Sequence, residues 1–318
     1  MRDCDLINVF ADFIRYGKRR AERTITSYRS DLEQFVDFLI SESLTGQGEH
    51  TAYFSEKIQQ PHKTDQSSVL PNVDSDKVRA FMKYLRNKNY SQASTRRKLA
   101  TLICFYNFLY SHHRLNFNPI VGVEVPRVEK RKPDILTEEQ IHKLSHLPDI
   151  INWLGARDKA MLELLCNTGI RVSELANLDI DDVDFDKQSL RVTSGSGKQR
   201  QLKLPLTTIE TIRHYLQLIQ KQIGSQEKSD RTALFINKFG KRLDTRSADR
   251  RIEKYILRAG FDKSITPFDL RHSFAQKLIS NGASDTQLCQ LLGFESVCTA
   301  RSYAELLKSE NSQLQNAF

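Results

Sequence analysis

A chain of 318 residues is long enough for two domains, each burying its own core. Lys and Arg outnumber Asp and Glu by 48 to 39, a net charge of +9 that favours polyanionic partners. Aromatic residues at 9 % with only 13 Gly and 8 Pro argue against global disorder, and the lack of any run of about eighteen apolar residues argues against a membrane span.

The N-terminus, MRDCDLINVFADF, carries acids where a secretory signal needs a basic and then an apolar stretch, so a cytoplasmic protein is expected. Two helical patterns follow. LINVFADFIRYG is apolar on one side, and TITSYRSDLEQFVDFLI spaces Ile25, Tyr28, Leu32, Phe35, Val36 and Leu39 by three and four, with Thr24 as the expected N-cap. Residues 43–73 are polar, have no period and read as a long loop. Helical spacing returns in SDKVRAFMKYLRNKN and SQASTRRKLATLICFYNFLYSHH. In the second of these, Arg96, Arg97 and Lys98 crowd the first turns, where cations oppose the helix dipole and call for compensation from outside. The His112-His113 pair reads as a helix C-terminal feature. NPIVGVEVPRVEKRKPD is extended, basic and Pro-punctuated, as an interdomain linker would be.

The second half opens at LTEEQIHKL, with Thr137 as cap. RDKAMLELLCNTGIRVSELANL is an apolar helix broken at Thr168-Gly169 and resumed as another. SLRVTSGSGKQRQLKLPL alternates about a Gly-Ser-Gly turn and predicts a β-hairpin. DTRSADRRIEKYILRAG predicts a helix capped by Asp244. Ala248, Ile252, Tyr255 and Ile256 form one face, and Arg246, Arg250 and Lys254 a basic face suited to a DNA groove. In ITPFDLRHSFA, Arg271 and His272 lie against the apolar positions Leu270, Phe274 and Leu278, and a guanidinium there is costly unless an anion meets it.

Other chemistry is poorly supported. The cysteines Cys4, Cys104, Cys166, Cys289 and Cys298 form no C-x-x-C and no disulfide framework; Cys104, Cys166 and Cys289 read as core residues. His142 and His146 are spaced for a metal but have no third ligand nearby, so no metal site is expected. SGSGKQ lacks the earlier Gly and the Ser or Thr of a Walker phosphate loop.

Four segments stand out together: TGIRVSEL with Arg171, the hairpin K-x-R with Lys198, P-x-x-L-R-H-x-F-A with Arg271, and L-L-G separated by nine residues from Tyr303. In this order and spacing they resemble the tyrosine recombinases, which include the phage integrases and Xer-type site-specific recombinases. The resemblance extends over nearly the whole chain. It implies a mainly α protein with a small antiparallel β-sheet and two domains: a helical core-binding (SAM-like) domain over 1–120, a linker over 121–135 and a catalytic domain over 136–318. It also implies site-specific DNA recombination by strand cleavage and rejoining through a 3′-phosphotyrosyl intermediate. Tyr303 would be the nucleophile, Arg171 and Arg271 would hold the non-bridging phosphate oxygens, and Lys198 would be the acid toward the leaving oxygen. No cofactor is required. Glu174, in R-x-x-E, would orient Arg171 or the helix rather than touch DNA.

The family pattern places His three residues before the second arginine and His or Trp after L-L-G. Phe268 and Phe294 occupy these positions, and neither donates a hydrogen bond nor takes a proton. Reduced activity is one expectation, since a lost oxyanion donor costs on the order of 10²–10³ in rate. His272 supplying the imidazole is another, although it should point about 100° away from Arg271 on a helix; a structural role for it is the preferred reading. Expected partners are double-stranded DNA, gripped by Arg96, Arg97, Lys98, Arg246 and Arg250, and sister subunits in a homotetramer on paired sites, with or without a partner recombinase. A catalytically weak or inactive DNA-binding regulator on the same fold, or a type IB topoisomerase, are the alternatives.

Overall fold

The computed structural model describes residues 2–18, 22–45, 68–125, 133–223 and 232–315. The chain divides into two compact units, Met1–Lys130 and Arg131–Phe318. Residues 126–132 of the expected linker lie outside the described residues.

The first unit is helical. Helix α1 (Asp3–Asp12) runs into a π-turn at Phe13–Gly17, followed by α2 (Glu22–Thr45), a 3₁₀ turn (Leu70–Asn72), α3 (Ser75–Asn87) and α4 (Gln92–Ser111). Their apolar stripes meet in an aromatic-rich core of Phe10, Leu32, Phe35, Phe81, Leu102, Phe105 and Tyr106, all buried. Two boundaries differ from the sequence expectation. Helix α2 begins at Glu22 and not after Thr24, because a carboxylate suits the first turn and this one bonds Arg15 at 2.6 Å. It then runs to Thr45, and the chain is ordered into the 3₁₀ turn from Leu70, so the expected loop is shorter at both ends; residues 46–67 of it lie outside the described residues. His112 closes α4, with its Nδ1 2.9 Å from the Phe108 carbonyl.

The second unit begins with α5 (Glu138–Ser145), capped by Thr137 and Gln140 reciprocally, then α6 (Trp153–Thr168) and the short α7 (Val172–Ala176). Strands β1 (Val183–Asp184), β2 (Ser189–Thr193) and β3 (Gln199–Lys203) form an antiparallel sheet in that order, with Leu190 opposite Leu202 and Val192 opposite Arg200. Helices α8 (Leu206–Ile223), α9 (Thr245–Arg258), α10 (Pro267–Ser280), α11 (Asp285–Leu292) and α12 (Val297–Gln315) complete it. Helix α6 is buried nearly all round because it runs through the middle, packed by α8, α10 and α5. It stops at Gly169, whose φ of +60° continues no helix and whose hydrogen faces the Phe274 ring. A Cβ there would sit 2.5 Å from Phe274 Cδ1, so glycine is required for both the turn and the approach.

As the alternation predicts, Ala248, Ile252, Tyr255 and Ile256 of α9 are buried, and Arg246, Arg250 and Lys254 are exposed. A separate small apolar cluster of Ala275, Leu288, Leu292, Ala300 and Leu307 ties α10, α11 and α12 together, with Phe294 and Tyr303 packed against it. That cluster sets where Tyr303 points.

Candidate active site

Arg271 lies one turn into α10, whose start is fixed by Pro267 and by the Asp269 carboxylate accepting from the Thr266 N–H at 2.8 Å. Only 2 % of Arg271 is exposed. Its guanidinium donates to the Gly169 carbonyl at 2.7 Å and to the Leu292 carbonyl at 2.6 Å. These oxygens end α6 and α11, where helices leave carbonyls unpaired and carry the negative end of their dipoles. Two helix termini therefore hold the buried cation in advance of any ligand. Burial, with Arg171 nearby, still pulls its pKa down to about 10. Two of its five N–H groups make these bonds, and the fork is fixed by protein.

Arg171 caps α7 and is more open, with 38 % of its side chain exposed. Glu174 orients it: one carboxylate oxygen accepts the Arg171 backbone N–H at 2.9 Å and the other its guanidinium at 3.1 Å. The same carboxylate accepts both terminal nitrogens of Arg200 at 2.9 and 2.8 Å. Burial works against charging Glu174, but the Arg200 and Arg171 bonds prevail and its pKa lies below the usual 4.5. Arg200 Nε also donates to the Leu291 carbonyl at 2.9 Å, so β3 is fastened to the end of α11. Gly293, at φ +65°, leaves room for this; a Cβ there would lie 2.7 Å from the Arg200 guanidinium.

Tyr303, on α12, meets this group. Burial pushes its phenol up to about 12, while Arg271 and then Arg171 pull in the opposite direction. Its hydroxyl lies 2.7 Å from His272 Nδ1, and the two rings stack with centroids 5.2 Å apart. The Phe294 ring stands 5.1 Å from Tyr303 and 5.5 Å from the Arg271 guanidinium carbon. Phe268 is 52 % exposed and sets its ring edge-on to His272 at 4.6 Å.

Arg171, Arg271 and Tyr303 thus come together from three helices. Lys198 does not join them directly: it stands exposed in the turn between β2 and β3, two residues from the anchored Arg200. Sequence reasoning left Arg200 unassigned, although the K-x-R spacing places it on the hairpin beside the lysine. The packing of α12 against α10 brings the Tyr303 hydroxyl to the His272 imidazole.

In the first unit the basic triplet separates. Arg96 is exposed. Arg97, 47 % exposed, bonds Asp31 and Ser27. Lys98 is buried, its Nζ 2.8 Å from the buried Asp31 carboxylate, and so does not face DNA from the surface. Asp31 supplies the compensation that cations at a helix start require, and Thr101 adds a bond at 3.0 Å.

Elsewhere the His142 and His146 rings stack 4.0 Å apart on the rim of a cavity of about 570 Å³. Among the described residues no group of three or more His, Cys, Asp or Glu is placed to hold a metal ion, and no helix is long and apolar enough to cross a membrane.

Residues 134–310 match the model of the phage integrase family, and residues 56–113 match that of the phage integrase N-terminal SAM-like domain. The chain is 32 % identical to a tyrosine recombinase XerC of Oceanobacillus iheyensis over 302 residues, 95 % of this chain and 92 % of that protein. It is 29 % identical to a tyrosine recombinase XerD of Staphylococcus epidermidis over 313 residues, 98 % of each. In fold it is similar to the XerH site-specific recombinase bound to its difH substrate in a pre-cleavage complex, with a TM-score of 0.63 and 19 % identity, covering 88 % of this chain and 75 % of that one. It is likewise similar to a lambda integrase (75–356) dimer bound to a COC′ core site, with a TM-score of 0.63 and 16 % identity, covering 93 % and 96 %.

Proposed function

Because the chain belongs to the phage integrase family, as a tyrosine recombinase that carries out site-specific DNA recombination, we propose that Tyr303 attacks the scissile phosphorus and holds the strand as a 3′-phosphotyrosyl ester. The convergence of Arg171, Arg271 and Tyr303 from three separate helices carries this reading. Arg271, immobilised by two carbonyls, and Arg171, aimed by Glu174, grip the two non-bridging oxygens and the charge that grows on them. Lys198 on the hairpin turn delivers the proton to the departing 5′-oxygen. The ester keeps the bond energy, and a 5′-hydroxyl of the partner strand reverses the attack without any added nucleotide.

Mapping the covalent product tests this. A duplex carrying a nick beside the cleavage point traps the adduct, and digestion followed by mass spectrometry should place the DNA on the Tyr303 peptide. An adduct on another residue removes Tyr303 from the role. No adduct at any protein concentration fits a DNA-binding regulator instead.

The DNA grip is assigned to Arg96 and Arg97 of the first unit and to Arg246 and Arg250 of α9. Exposed arginines on one helix face suit bonds to phosphate, which dominate affinity and make it salt-dependent. Replacing Arg246 and Arg250 with alanine should flatten the plot of log affinity against log salt, by about one unit of slope for each phosphate no longer neutralised. A double variant whose slope matches the wild type in fluorescence anisotropy titrations would take α9 off the DNA. We further assign the working form to a homotetramer on two paired sites, with or without a partner recombinase, acting on DNA in the cytoplasm.

A further inference from the structure

We propose that His272 takes the proton from Tyr303 during strand cleavage, doing from the position after Arg271 what Phe268 cannot do from three positions before it. The inference rests on Tyr303 being the nucleophile.

Geometry comes first. His272 Nδ1 lies 2.7 Å from the phenolic oxygen, within the reach a general base needs. The rings stack with 19° between their planes, so the pair is held along its faces as well as by the bond. Phe268 closes one side of the imidazole and Phe294 one side of the phenol, neither of which accepts a proton. Among the described residues, the other ionisable groups that act on the phenol are Arg271, Arg171 and Asp269. A guanidinium has no lone pair to offer. Both Asp269 oxygens are engaged, one by the Asp134 N–H at 3.1 Å and the other by the Thr266 N–H and hydroxyl at 2.8 and 2.7 Å. With its proton on Nε2, the imidazole offers Nδ1 as the acceptor. A phenol raised to about 12 by burial does not ionise unaided near neutral pH, so it needs one.

The step balances. With its own proton on Nε2, the neutral ring receives the Tyr303 proton on Nδ1 as the Tyr303 oxygen bonds to phosphorus and the bond from phosphorus to the 5′-oxygen breaks. Lys198 gives its proton to that oxygen. An imidazolium and a neutral amine replace a neutral imidazole and an ammonium, so the positive charge around the phosphate is conserved. On rejoining, the incoming 5′-hydroxyl returns its proton to the amine, and the imidazolium returns its proton to the phenol.

Single-turnover adduct formation on the nicked duplex tests this across pH, using the full chain with His272→Asn and His272→Gln. Both amides can accept a hydrogen bond but cannot take the proton. The rate should fall by about 10²–10⁴, and the acid-side decline of the wild-type pH profile should vanish. DNA affinity should be unchanged, and whichever variant also melts with the wild type is the one to read. A second duplex, with sulfur in place of the leaving 5′-oxygen, separates base from acid because the thiolate departs without a proton. It should restore Lys198→Ala and leave the His272 variants slow. Variants within tenfold of the wild type with its pH profile intact, or rescue of them by sulfur, overturn the proposal while leaving Tyr303 as nucleophile. A wild-type chain that forms no adduct overturns both.

Discussion

Replacing Arg271 with alanine is expected to slow adduct formation by about 10²–10³, the cost of removing one donor to a developing oxyanion. It should also weaken the fold. Its two carbonyl partners, on Gly169 and Leu292, are buried ends of helices whose C-terminal oxygens have few other donors. Each loses about 1–3 kcal/mol when left unsatisfied. Relief of the buried charge, visible in the pKa pulled down to about 10, offsets part of that. Arg271→Lys separates the two effects, since a single ammonium keeps the charge but cannot span two carbonyls and a phosphate as a planar fork does. It should recover little of the rate. Single-turnover cleavage and urea midpoints measured on the same preparations decide the matter; a cleavage rate within tenfold of the wild type for Arg271→Ala would mean that this guanidinium never touches the phosphate.

The second large effect is expected at Glu174. Glu174→Ala leaves the half-buried Arg200 without its anion, and breaking such a pair from one side costs up to about 3–5 kcal/mol, the figure for a fully buried pair. Arg171 loses the carboxylate that aims it, and a displacement of an ångström or so costs about 10² in rate. The pH dependence has a definite sign. Glu174 has a lowered pKa in the fold, so its contribution is full above the ordinary carboxyl value of 4.5 and disappears as pH falls through the lowered one. Stability of the wild type and the variant should therefore converge in acid. A gap that stays constant from neutral pH down to pH values well below 4.5 would show that the carboxylate charge is not what holds Arg200.

Helix order and the hairpin were legible in the sequence, because each rests on local spacing, whereas Arg171, Arg271, Lys198 and Tyr303 were grouped by the order and spacing of four motifs that resemble a family. What was not legible depends on a distant partner. Nothing near Lys98 announces Asp31, 67 residues earlier, yet a signal existed: Lys98 stands in line with Leu102, Phe105 and Leu109 on the buried stripe of α4. A charge on an apolar stripe needs a partner more than it needs DNA. His272 follows Arg271 by one residue, but the packing of α12 beside α10 decides what its imidazole meets. Arg200 looked like one more hairpin cation until Glu174 and the end of α11 closed on it. The anion expected for Arg271 was only part of the answer, since two helix ends already steady it.

The fastening of β3 by Arg200 makes the hairpin a lever with a fixed fulcrum. Lys198 sits two residues beyond that pivot, an arm of about 7 Å at strand rise. On the proposed mechanism so short an arm means that seating of the DNA brings the leaving oxygen to the lysine. Arg200 and Arg171 share the Glu174 carboxylate, so the proposed acid on the hairpin and the proposed grip on phosphate hang on one anion.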